Sequence, residues 1–496
     1  MNIASGRQVM SKFYVACELG IDRGRVVLGH LEKGKLGLSE VRKFANTPIR
    51  QKGSVHWDIP RLFEETLDGL RTIGGFEETI ESLSCTSWAG DYLLFERDGS
   101  LMTPTFHQDD PRWEAGRKWL YSKLPAQRLY EETGMMEKPA DTIFQIGAES
   151  SGRLSRASCL LPVADGFNHL LGGAPRVESS QASSTHMYSP HTGNWSEAVL
   201  GVLRLPKNFL PPVVAPGTRL GQLRPEISGE TGLEGAQILS SCSHELAACL
   251  AGLPRQEGEL CAFLDIGSQA EFGVEIDRPL INPSSQSLNF RNERNGSSFR
   301  LTKTIPGTRL IEDCQRFWRQ EEREIGVELL LHLAGAAAPL ECFIDLEDAR
   351  FADGDDMPLK IQAYCRETSQ SIPRKPGAII RCILESLALT YRKTKMEVEA
   401  QTGKRVERVF LVKQHAYGLL NHFTANALQV PVVVASPDAS AIGNIVVQAF
   451  ALGHFRSMTE AQEIIRNSFR HETILPYATA WSAAFERLNA LSGERQ

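Results

Sequence analysis

An α/β fold in two or more domains is predicted by three features of this sequence. The chain has 496 residues, whereas single cores stop growing near about 250–300 residues. Strand-like and helix-like segments alternate through its second half, which favours α/β or α+β layering over an all-α or all-β core. An apolar strand closed by carboxylate–x–glycine occurs twice, at Glu18-Leu19-Gly20 and Asp265-Ile266-Gly267, the spacing expected of a duplicated domain.

The elements follow in order. FYVACELG (Phe13–Gly20) is an apolar run of strand formers ended by glycine. RVVLGHLE (Arg25–Glu32) and LSEVRKF (Leu38–Phe44) come next, joined by GKLG, which reads as a hairpin turn. The chain therefore opens as an antiparallel meander. Pro60–Ile73 has Pro60 in its first turn and Leu62, Phe63, Leu67 and Leu70 at helical spacing. The Pro/Gly-punctuated stretch Pro211–Gly235 marks the boundary between halves, giving domains 1–236 and 237–496. In the second half LCAFLDIG (Leu260–Gly267) and FGVEID (Phe272–Asp277) repeat the opening strand and its return. A long amphipathic helix is expected over Pro376–Gln401, then strands at Arg408–Val412 and Val430–Ala435. Helices are expected near Leu419–Leu428 and Ala441–Leu452.

Composition removes several classes of function. There are 54 basic and 60 acidic residues and a net charge of −6, so the basic field of a dedicated nucleic-acid binder is missing. Hydrophobic residues make up 42% and charged ones 23%, as in ordinary globular proteins. The 10 cysteines form no CxxC pair and no Cys/His group of zinc spacing. Cys242 and Cys249 read as buried thiols, and a reducing compartment is expected. No apolar leader precedes Phe13. The most apolar long stretch, Val327–Leu340, holds His332 and Pro339 and is too short for a bilayer. A cytoplasmic protein without a membrane or nucleic-acid partner is expected; oligomeric state has no signature here.

Several residues could carry chemistry. A carboxylate closing a strand beside a glycine turn suits phosphate and Mg²⁺, because glycine lets backbone N–H groups approach phosphate oxygens. Tight hairpins alone would also explain both glycines. Glu245 opens the apolar helix after SCSH (Ser241–His244); it is either a partner of the helix dipole or a general base. In TSWAGDYLLF, Trp88 precedes Asp91 at a strand start. HQDDPR gathers His107, Asp110 and Arg112 in a turn. Such polar groups suit a small hydrophilic ligand, or any solvated loop.

These segments, in this order, resemble the FGGY carbohydrate kinases, and within them the rhamnulokinase branch. The resemblance runs from about Phe13 to Gly453 and is carried by several blocks. They include CELGIDRGRVVLG, VHWDIPRLF, SWAGDYLLFERDG, HQDDPR, LYEETGM, FNHLLGG, ESSQASST and PPVVAPGTRLG. In the second half NFRNE, IPGTRLIEDCQRFW, AYCRETSQSIP, RCILESLALTYR and SPDASAIGNIVVQAFALG continue it.

The resemblance implies two RNase H-like domains of the actin/hexokinase type around an interdomain cleft. It implies transfer of the ATP γ-phosphoryl group, with Mg²⁺, to a hydroxyl of a ketose such as L-rhamnulose. It places Glu245 as general base and Glu18 with the metal. It places Gly20 and Arg23 in the first phosphate hairpin, and Gly267 and Ser268 in the second. Trp88, Asp91, His107 and Asp110 fall in sugar-site blocks. Lys413, Gly443 and Asn444 fall in the adenosine region, within Val412–Asn421 and Asp438–Asn444.

The sequence departs from the family at its working motifs. Glutamate replaces aspartate at Glu18 and Glu245, extending each carboxylate by about 1.5 Å. A misplacement of about 1 Å in a catalytic group costs on the order of 100-fold. Arg23 stands where serine is usual. Gly267-Ser268-Gln269 replaces Gly-Thr-Trp, with an added acid at Asp265, and Lys413-Gln414-His415 replaces three glycines. Two readings follow: a kinase with adjusted geometry, or a catalytically impaired pseudokinase that binds a sugar or a protein partner. Side chains of Arg23 or Lys413–His415 filling the space between the hairpins would mark the second.

Overall fold

Alternation along the first strand puts Val15, Cys17 and Leu19 on one face and Tyr14 and Ala16 on the other. Both sets are buried, in two different hydrophobic clusters, which is why the run is apolar throughout. The structure, a computed structural model, describes residues 11–76, 78–206, 208–256, 258–322, 324–413, 417–477 and 480–493.

The first sheet is built from β1 (Lys12–Leu19), β2 (Arg23–Glu32), β3 (Lys35–Ala45), β4 (Ile80–Ser87), β5 (Thr218–Gln222) and β6 (Gln237–Ser240). Its order is β5-β6-β4-β1-β2-β3. β1, β2 and β3 form the expected antiparallel meander, and β4 and β6 run parallel to β1. The β2–β3 turn is tighter than GKLG suggested. It is only Lys33-Gly34, with φ of 49° and 73°, the left-handed pair that a two-residue hairpin requires. The helix α1 (Ile59–Gly74) is capped by Asp58, which accepts from the Arg61 N–H, and lays Leu62, Leu67, Leu70 and Ile73 on this core.

The second sheet repeats the pattern. After α2 (Glu245–Ala251), β7 (Cys261–Ile266) and β8 (Gln269–Ile276) form the second carboxylate–x–glycine hairpin. β9 (Phe290–Asn295), β10 (Ser298–Pro306), β11 (Arg408–Leu411), β12 (Val432–Val434) and β13 (Glu472–Ile474) complete it in the order β9-β10-β8-β7-β11-β12-β13. β8 and β10 continue antiparallel from β7, while β11 and β12 lie parallel to it. In both sheets the opening strand lies between its antiparallel return strand and a parallel strand, β2-β1-β4 and β8-β7-β11, followed by a second parallel strand and an antiparallel edge strand, β6-β5 and β12-β13. This is the two-domain α/β architecture that the duplicated turns predict. The α3 helix (Pro376–Thr402) buries Ile379, Ile383, Leu387 and Tyr391 at the expected spacing.

Two features were hidden in the sequence. The outer face of the first sheet is covered by late chain: α4 (Ala439–Ala451) and α5 (Met458–Ser468) place Ile442, Ile445, Val446, Ile464 and Ile465 against Tyr14, Ala16 and Val27. Cys342, Cys365 and Cys382, which show no zinc spacing, converge in the second core with their sulfurs within 4.8 Å of one another. No helix among the described residues is long and apolar enough to cross a membrane.

Candidate active site

Parallel strands deliver their carboxyl ends to one place, and ligands of open α/β sheets bind there. β1 and β4 of the first sheet and β11 of the second end around a cavity of about 600 Å³, with β7 paired beside β11. Glu18, Gly20, Arg23, Arg25, Lys43, Glu245 and Lys413 are among its lining residues.

In the first hairpin the Gly20 N–H donates to the Arg23 carbonyl at 2.9 Å, and Asn46 donates to the Gly20 carbonyl at 2.8 Å. A β-carbon at Gly20 would lie 2.6 Å from the Arg23 oxygen, so the turn requires glycine. Glu18 is buried, with Arg25 Nε donating to its carboxylate. The same guanidinium reaches Asp438 at 2.5 Å. Burial pushes the Glu18 carboxyl above its ordinary range, and the Arg25 charge pulls the other way. Arg25, three residues past the turn it serves, carried no signal beyond its place in the hairpin. The Arg23 side chain is exposed at the cavity wall.

In the second hairpin the Gly267 N–H donates to the Gln269 carbonyl at 3.0 Å, and Thr308 donates its N–H to the Gly267 carbonyl at 2.8 Å. The Ser268 hydroxyl is engaged by Glu312 at 3.0 Å. Lys413 Nζ lies 3.1 Å from Asp265 and 3.7 Å from Glu245. Gln414 and His415 lie outside the described residues. Arg23 and Lys413 stand in the walls of the cavity beside the first hairpin.

Glu245 is positioned by what precedes it. The Ser87 N–H donates to the Ser243 carbonyl at 2.9 Å, splicing Ser241–His244 onto the end of β4. Ser243 donates its N–H to Glu178 at 3.1 Å and its hydroxyl to Asp165 at 2.9 Å, and Gln181 Nε2 donates to the Ser243 carbonyl at 3.2 Å. The ESSQASST block thus holds the segment from beneath. Burial raises both the Asp165 and the Glu178 carboxyls, and Glu178 raises Asp165 further.

His244, unremarked in the sequence, turns out to be central. Its Nδ1 accepts the Leu246 N–H at 3.0 Å, which fixes the proton on Nε2. His244 borders a second, polar pocket of about 160 Å³ lined also by Gly90, Gln108, Lys138, Asp141 and Glu271. Lys138 pairs with Glu271 at 2.9 Å, while Arg291 and Arg300 lie 3.7 and 3.1 Å from Glu293. The signal for this cluster was NFRNE, where charges at Arg291 and Glu293 share one face of a buried strand.

Burial, with the nearby Arg300 charge, holds the His244 imidazole down at about 3. The unfolded chain takes up this proton near pH 6.5 and the folded one does not, so stability falls as the pH drops below about 6.5. The Cε1 proton resonance of His244 is expected to stay unchanged from pH 8 to 5 in the folded protein. An inflection near pH 6.5 would contradict the buried neutral tautomer.

The remaining sequence candidates are placed as follows. Asp91 accepts from Trp57 Nε1 at 2.6 Å, Trp88 Nε1 at 3.0 Å and Gln145 Nε2 at 2.8 Å. Its carboxylate is spent on framing the Ala89-Gly90 turn that borders the small pocket, and burial raises its pKa. Trp88 and His107 both pack against Trp57 with their rings tilted by 45° and 43°. Asp110 accepts from Ser54, the Val55 N–H and the Arg112 N–H; it shapes the HQDDPR turn. Gly443 and Asn444 do not face the cleft as expected. A β-carbon at Gly443 would strike the Ala248 oxygen at 1.8 Å, so it allows α4 to cross α2 closely. Asn444 is fully buried, donating to the Ser84 carbonyl at 3.3 Å and accepting from Gln448 at 2.6 Å.

Two copies of one strand-and-hairpin domain, facing each other over a cleft with a carboxylate between two pockets, define a phosphotransferase of the actin/hexokinase type. Residues 13–252 match the N-terminal domain, and residues 269–452 the C-terminal domain, of the FGGY family of carbohydrate kinases. The chain belongs to that family and is a sugar kinase by class. It is 30% identical to a rhamnulokinase of Bacteroides thetaiotaomicron over 482 residues, covering 96% of this chain and 98% of that one. A rhamnulokinase of Enterococcus faecalis is also 30% identical, over 475 residues and 94% of each chain. Among solved structures, a gluconate kinase of Lactobacillus acidophilus superposes with a TM-score of 0.79 at 15% identity over 98% of both chains. A xylulose kinase of the same organism gives 0.78 at 14% identity, covering 97% and 98%. Neither the fold nor these likenesses favour a catalytically impaired chain.

Proposed function

We propose that this kinase transfers the γ-phosphoryl group of ATP to a hydroxyl of a ketose, L-rhamnulose or a close relative. One observation carries the reading: His244 borders the small polar pocket while Glu245, the next residue, borders the large charged cavity. A carboxylate between a sugar-sized pocket and a phosphate-sized one is placed to act on both. Glu245 takes the proton of the attacking hydroxyl as its oxygen bonds to the γ-phosphorus. The bond from that phosphorus to the bridging oxygen breaks, and ADP leaves.

The residues present fit the donor. Gly20, and Gly267 in the matching second hairpin, let backbone approach the phosphates closely, and Arg23 and Lys43 supply positive charge around them. Glu18, buried at the cavity, is an oxygen ligand of the kind a hard divalent cation takes. Mg²⁺, when bound, would neutralise charge on the transferring phosphoryl group. Asp91 and Asp110 act here as framing residues, with Trp88 and His107 packed on Trp57 behind the pocket. Lys138, Arg291 and the His244 Nε2–H are the donors offered to sugar hydroxyls. The relatives named rhamnulokinase favour L-rhamnulose among ketoses. Calorimetry with ADP and Mg²⁺ tests the donor half: saturable binding below millimolar concentration is expected, and its absence would sink the ATP reading.

A further inference from the structure

The fold brings Asp265 and Lys413, distant in sequence, together at one end of the cleft. β7 and β11 pair in parallel with Leu264 opposite Leu411, so their carboxyl ends emerge side by side. Asp265 lies on the first and Lys413 just beyond the second. Lys413 Nζ sits 3.1 Å from Asp265 Oδ2 and 3.7 Å from Glu245 Oε1, tying the second phosphate hairpin to the carboxylate at the pocket junction. Alone, an acid at Asp265 would repel incoming phosphates. Together with Lys413 it leaves a neutral pair with a cation still facing the cavity.

We propose that Lys413 is a positioning residue that cancels the Asp265 charge beside the incoming polyphosphate and fixes the Glu245 carboxylate, so that Lys413 and Asp265 work only as a pair. The proposal rests on the kinase reading. Burial alone would discharge the lysine, but Glu245 and then Asp265 outweigh it and keep the ammonium protonated well above the usual lysine range. Glu18 and the Cys249 thiol also feel the Glu245 charge, so Lys413 is the cation among acidic neighbours at this end of the cleft. Arg25, another partly buried cation of the cavity, is committed to Glu18 and Asp438.

The test is a double-mutant cycle between Lys413→Met and Asp265→Ser, read by KM for ATP, KM for the sugar, kcat, and ADP affinity by calorimetry. Lys413→Met is expected to raise the ADP Kd and the KM for ATP by about tenfold or more, with the KM for the sugar within about twofold. It is expected to lower kcat as well, because Glu245 loses its anchor. The double variant is expected to recover nucleotide affinity to within about threefold of the parent, a strongly non-additive result. Lys413→Arg keeps the charge and is expected to keep affinity. Unchanged nucleotide affinity in Lys413→Met, or effects that multiply in the double variant, would overturn the pairing. A variant that fails to bind sugar as the parent does is misfolded, and the Lys413→Arg and double variants then decide the matter. The kinase reading fails separately, if the parent protein itself transfers no phosphate.

Discussion

Replacing Glu245 with Gln is expected to lower kcat by about 10²–10⁴-fold, the usual contribution of a positioned general base. The KM values for sugar and nucleotide are expected to stay within a few-fold, because the amide keeps the shape while losing the proton-accepting oxygen. The expectation follows from position. Ser87, Asp165, Glu178 and Gln181 hold the segment before Glu245 by hydrogen bonds, so the carboxylate enters a preset place between the pockets. Glu245→Asp tests the added methylene. If the scaffold is fitted to glutamate, the shorter acid is the worse base. Turnover in Glu245→Gln equal to that of the parent would remove the base role.

The second large effect is expected at Glu18. Its carboxylate is buried, bound by Arg25, and raised in pKa by burial. Glu18→Gln leaves the Arg25 guanidinium, still held at Asp438, without the anion that balances it beside the first phosphate turn. It also removes the ligand offered to the divalent cation. Activity is expected to fall by about 100-fold or more, with a raised Mg²⁺ requirement as the signature. A purely structural role would lower the unfolding midpoint and leave the Mg²⁺ titration unmoved. Measuring both on the same preparation separates the two.

Much of this was legible in residues. FYVACELG and LCAFLDIG announced both hairpins because their apolar runs are buried on two faces and, in the first, the glycine is sterically forced. Glu18, Gly20, Arg23, Glu245 and Lys413 all reach one cavity, and Gly267 and Ser268 form the turn beside it. What was not legible depends on packing between distant segments. Nothing local in Ser440–Gly453 says that Gly443 and Asn444 serve a helix crossing and a sheet contact rather than the cleft. Asp91 and Asp110 looked like ligands because acids in turns often are, yet Trp57, Trp88, Gln145, Ser54 and backbone N–H groups already satisfy them. His244 was overlooked beside its more conspicuous neighbour, although a histidine preceding a helix and capping it is a recognisable motif. The Lys413–Asp265 pair could not be seen at all, since only the parallel register of β7 and β11 brings the two residues together.

Phosphorylation of L-rhamnulose by the purified protein with ATP and Mg²⁺, run beside Glu245→Gln and followed by phosphorus NMR, tests the central claim most directly. Stoichiometric appearance of ADP and a sugar phosphate ester with the parent, and only a trace with the variant, is the expected result. No ester from L-rhamnulose or any related ketose, or equal ester from both proteins, would contradict it.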